Sequence, residues 1–167
     1  MKVSGWGLPE DALDFLKEFE GESDRAAAVL GAAYLDECLK QLIVGFLIDD
    51  SKAVKNLLGD FGVLGSFSAK IEVSYCMGLL REEEYHNLRI IKKIRNRFAH
   101  RLHGYSFSEA SVRDMCSELR DLKDAPPLGG DARSQFMTAV AFLVVALDWR
   151  TRLHKAQRRV VPPSLWG

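Results

Sequence analysis

The chain has 167 residues, 47% of them apolar, and its 23 basic side chains are matched by 23 acidic ones. That length suits one domain with a full hydrophobic core, and the balanced charge excludes a global electrostatic pull toward nucleic acid, so any such contact must come from a local patch. Cys38, Cys76 and Cys116 are scattered and form no C-x-x-C pair, which argues against a disulfide framework or zinc site and suits a reducing cytoplasm.

The apolar periodicity is helical almost throughout. Pro9 opens a short helix through about Phe19, and Gly21 stops it. Ser23 is a good N-cap for a long helix to about Ile48. Its first half, DRAAAVLGAAYLDE, is rich in small residues that allow a neighbouring helix to approach closely, and its second half, CLKQLIVGFLI, is bulky. Ser51 is placed to cap a brief helix, SKAVKNLL. Gly59, Gly62 and Gly65 then break the periodicity in a loop that fits no phosphate-binding glycine pattern. Ser66 begins a helix to about Leu79, with Ser66 and Ser68 read as caps, not nucleophiles.

Glu82, Glu83 and Glu84 occupy the favourable first turn of a helix reaching about Leu102. Ser108 caps another through about Leu122. APPLGG is a loop, and a last helix runs from about Asp131 to Gln157, with Pro162 and Pro163 ending regular structure. Within it, Phe136 to Trp149 is apolar all round. At 14 residues it falls short of the roughly 20 needed to span a bilayer, so it reads as a buried central helix and no membrane association is expected. The segment MKVSGWGLPED lacks the apolar run of a signal peptide. These elements predict an all-α, single-domain bundle over 1–167, with about five major helices plus short satellites and flexible ends at 1–8 and 160–167.

Chemistry concentrates in RNRFAH, Arg95 to His100. A neutral-pH histidine can take or give a proton, and an arginine can stabilise charge developing on phosphate oxygens. On a helical wheel Leu88, Ile91, Ile94, Phe98 and Leu102 form an apolar stripe that includes Arg95, while Asn96 and His100 share the polar face with Arg89 and Lys93. One straight helix therefore sets Arg95 about 140° from His100. A compact catalytic site would need either a distorted helix end or residues from two copies meeting at a two-fold interface. Equally, Arg95 can pair with a carboxylate of another helix, Asp36 or Glu37, and His100 can simply complement a helix C-terminus.

A second basic group lies near the C-terminus, where Arg150, Arg152, Lys155, Arg158 and Arg159 adjoin Trp149 and Trp166. It can bind an RNA backbone or an acidic partner, or it can be a solvated helix end. His86, His103 and His154 show no metal-ligand spacing, and neither a metal nor a cofactor is expected.

The R-N-x-x-x-H pattern of Arg95, Asn96 and His100 resembles the signature of HEPN domains, small all-α domains of which many pair up and cut RNA without a metal. More broadly, ESDRAAAVLGAAYLDECL, FGVLGSFSAKIEVSYCMGLL and LRIIKKIRNRFAHRL resemble the mannitol-repressor family over about half the chain, in the right order. That resemblance implies an HEPN-like, dimer-forming helical fold and a role in repressing sugar-alcohol uptake without a standard DNA-reading module. The sequence agrees on the last point, having no short helix-turn-helix with a basic recognition helix, zinc finger or basic zipper. The expected function is a cytoplasmic, homodimeric regulator acting through a macromolecular partner, most simply a protein, without sequence-specific DNA binding. The alternative is a metal-independent endoribonuclease, in which His100 is the acid or base, Arg95 stabilises the phosphorane and Asn96 orients one of them.

Overall fold

Two long helices, α2 (Asp24–Phe46) and α7 (Ala132–Lys155), form the centre of the molecule. The small residues of α2 make this possible. Ala27, Ala28, Gly31 and Ala32 are all buried, and a Cβ at Gly31 would sit 3.1 Å from the Phe19 ring and 3.3 Å from Val140. Near the other end, a Cβ on Gly45 would meet Lys155 at 3.4 Å. With Asp24 paired to Arg133 at 2.6 Å, these contacts run in the same order along both helices, which therefore lie parallel. Phe136, Val140, Leu143, Val144 and Leu147 line the buried face of α7.

The computed structural model describes residues 10–100, 105–123, 125, 127–155 and 158–164. Among these it contains α1 (Glu10–Gly21), α2, α3 (Ser51–Leu58), α4 (Phe67–Cys76), α5 (Glu82–His100), α6 (Ala110–Ser117) and α7, with no strand. The all-α, single-domain expectation is met. The segment 1–8 lies outside the described residues, as do 165–167 and the helix-end expectations at Leu102 and Gln157. No described helix is long and apolar enough to cross a membrane.

Local chemistry explains most boundaries. Ser23 accepts from the Ala26 amide at 3.3 Å and Ser66 from Ala69 at 3.1 Å, as N-caps do. Two caps differ from expectation. Asp50, not Ser51, caps α3, because its carboxylate accepts from both the Lys52 and Ala53 amides. Ser108 does not cap α6. Its hydroxyl turns to Ser106 at 2.6 Å, and α6 begins at Ala110 behind Glu109, which makes no side-chain cap bond.

The glycine loop between α3 and α4 is a packing turn. A Cβ on Gly62 would lie 2.3 Å from the Leu57 carbonyl oxygen, so only glycine fits there. Buried Lys70 fastens this loop to α2, donating to the Gly65 carbonyl at 3.0 Å and to Asp36 at 2.6 Å.

Candidate functional site

α5 carries the RNRFAH motif. Leu88, Ile91, Ile94 and Phe98 are completely buried, so this stripe fixes the helix against the core and orients its remaining faces. Lys93, Asn96, Arg97 and His100 then fall three or four residues apart and form one patch. With Met115 of α6 they line an open cleft of about 480 Å³. No carboxylate contributes to that lining, and no ion pair to Lys93, Arg97 or His100 occurs among the described residues. Ammonium, guanidinium, amide and imidazole groups thus face one concavity, an arrangement suited to an anion.

Asn96 and His100 are therefore brought together, as the wheel placed them. Arg95 is half-buried and falls outside the cleft. Neither suggested carboxylate partner reaches it: Asp36 is taken by Lys70, and Glu37 by Lys40 at 3.2 Å and Gln41 at 2.7 Å. Arg89 also lies away from the cleft, its guanidinium 5.3 Å from the Tyr85 ring centroid and 3.9 Å from Glu72. Sequence reasoning missed Arg97, although its spacing of four from Lys93 and three from His100 was a sufficient signal. It also missed Met115, which only tertiary packing brings to the site.

The C-terminal basic group is divided between half-buried Arg150 and Arg158 and exposed Arg152, Lys155 and Arg159. Arg150 turns inward and holds Glu84 with two nitrogens at 2.6 and 2.8 Å, while also donating to the Leu79 carbonyl at 2.9 Å. Glu84 is only 3% exposed, so a guanidinium with matching fork geometry is what permits its burial. Arg152 pairs with Asp148 at 2.6 Å. Arg158 donates to the Leu47 and Val44 carbonyls and pairs with Asp49 at 2.9 Å. Arg159 stacks 4.7 Å from the Phe46 ring centroid, and Lys155 is exposed. Four of these five cations serve the fold locally, and Trp166 lies outside the described residues.

Ser66 and Ser68 carry no nucleophile geometry: one caps α4 and the other accepts from Lys92 at 2.9 Å. Cys116 is almost fully buried, and burial pushes its thiol up to about 12, which keeps it protonated and unreactive. Among the described residues no group of three or more histidine, cysteine, aspartate or glutamate side chains could hold a metal ion.

The family model described as "Mannitol repressor" matches residues 20–155. The chain belongs to the mannitol repressor family. The mannitol operon repressor of Escherichia coli K12 is 24% identical over 111 residues, covering 64% of this chain and 57% of that protein. The match thus spans little more than half the length of this curated relative. A chain of the X-ray structure of the MtlR–HPr complex from Escherichia coli superposes with a TM-score of 0.68 at 19% identity, over 82% of this chain and 98% of that one. A possible transcriptional regulator, YggD from Shigella flexneri, superposes with a TM-score of 0.61 at 17% identity, over 87% and 96%. At these identities the structural matches establish the fold.

Proposed function

We propose that this member of the mannitol repressor family is a cytoplasmic regulator that works as a homodimer through a protein partner, not by reading DNA. The observation that carries this reading is the likeness to a chain solved in a complex of MtlR with HPr. Two features support it. The formal charge is balanced, and most of the basic residues near the C-terminus contact carboxylates, carbonyls or a ring of the same chain. A sequence-reading surface needs free cations to position it on phosphate.

The test is titration of the purified protein with HPr from the same cell at physiological salt, followed by calorimetry and light scattering. The reading expects saturable binding by a two-chain assembly. A monomer at micromolar concentration removes the dimer, and absence of binding removes HPr as the partner.

A metal-independent ribonuclease remains the second reading, because Asn96 and His100 share a cleft with two cations. In that case Arg97 is better placed than Arg95 to stabilise a phosphorane. Cleavage of single-stranded RNA in excess chelator, lost on His100→Ala, would support it. No cleavage across varied RNAs would eliminate it.

A further inference from the structure

A different concavity, of about 390 Å³, lies between one face of α7 and the segment that follows α6. Its walls are Phe142, Val145, Ala146 and Trp149 of α7, facing Leu122 and Ala125. Trp149 is 60% exposed there, although its neighbours at 147 and 151 are buried in the core. An indole left in water beside an apolar wall gains free energy from any apolar body laid against it.

Each side of this cavity has an anchor. Completely buried Asn87 donates to the Arg120 carbonyl at 2.8 Å and accepts from the Arg120 amide at 2.9 Å, clamping the segment that leads to Leu122. A turn from the Ala125 amide to the Leu122 carbonyl follows at 3.1 Å. On the other side, Arg150 grips Glu84. Anchoring of this kind lowers the ordering cost of binding.

The charges are asymmetric. Among the described lining residues there are two carboxylates, Glu84, neutralised by Arg150, and Asp148, paired with Arg152. Arg81 and Lys123 also line the cavity, and Lys123 has no ion pair among the described residues. The opening therefore has apolar walls, with the Lys123 ammonium at its edge.

We infer that this cavity is a binding site for a small amphipathic organic anion, whose apolar body lies against Trp149 and Ala146 and whose carboxylate meets Lys123. It is separate from the α5 cleft, and it gives the regulator an effector site that does not depend on which partner it uses.

Three probes with one body and different heads test it: 3-phenylpropionate, 3-phenyl-1-propanol and 3-phenylpropylamine. Binding is read from tryptophan fluorescence, with Trp149→Phe defining the Trp149 contribution. The carboxylate should bind at least tenfold more tightly than the amine, and Lys123→Glu should reverse that order. Ala146→Phe, which fills a half-exposed position in the cavity, should abolish binding of all three with an unchanged melting temperature. Equal affinity for all heads, or no binding at millimolar concentration, would overturn the assignment. So would full binding to the Ala146→Phe protein. If Ala146→Phe instead alters the oligomeric state, the face is covered by another copy and the ligand site is refuted.

Discussion

At the start of α5, Glu84 and Asn87 are buried, and their polar atoms meet Arg150, the Arg81 amide and both backbone groups of Arg120. At the end of the same helix, Lys93, Arg97 and His100 face an open cleft and make no ion pair among the described residues. Buried polar groups are retained only where partners satisfy them, so the first region is architecture and its residues answer to stability. Lys93, Arg97 and His100 add little to the core that Ile94 and Phe98 build beside them, and are free to answer to a ligand or partner. One helix thus combines buried positions that hold the fold with a terminal face that can be spent on function.

The largest expected effect comes from Glu84→Ala. It strands the Arg150 guanidinium at an inner position and should lower unfolding free energy by about 3–5 kcal/mol. Urea denaturation measures this. Replacing the pair together by Glu84→Leu and Arg150→Met should recover most of the loss, because no buried charge then remains unpaired. If the double variant is as unstable as the single one, the pair is not the reason for the loss.

Asn87→Ala comes next. It leaves the Arg120 amide and carbonyl without their side-chain partner and should cost about 1–3 kcal/mol. Hydrogen exchange should rise locally from Arg120 to Ala125 while α2 and α7 keep their protection. Uniform loss of protection would show that the clamp is part of the global core instead.

The smallest stability effects should fall in the cleft. Lys93→Ala, Arg97→Ala and His100→Ala should each stay within about 0.5 kcal/mol of the parent in thermal or urea unfolding. A loss near that of Asn87→Ala at any of the three would erase the contrast between the two ends of α5.

Helix number and order were readable because the apolar stripes repeat at helical spacing and Ser23 and Ser66 are strong caps. The expected helix from Ser108 to Leu122 was too long, since α6 spans only Ala110–Ser117. The residues beyond it have helical periodicity, yet the Arg120 backbone is captured by Asn87 from 33 positions away, which no local pattern encodes. Arg150 was misread for a related reason. In the sequence it groups with its cationic neighbours, although it follows fully buried Leu143 and Leu147 at core spacing. That register pointed inward and called for an acid. Glu84 itself reads in the sequence as one of three equivalent acids at a helix start. The cleft was half legible, since the wheel united Asn96, His100 and Lys93, but Met115 comes from another helix.

The central claim is that regulation proceeds through a partner and not through base reading. Its most direct measurement is nuclease protection of the DNA upstream of the chain's own gene and neighbouring operons, at physiological salt with excess competitor DNA. The account predicts no protected sequence, because phosphate attraction without base readout gives only nonspecific affinity. A discrete footprint from the purified protein alone, surviving the competitor, would contradict it.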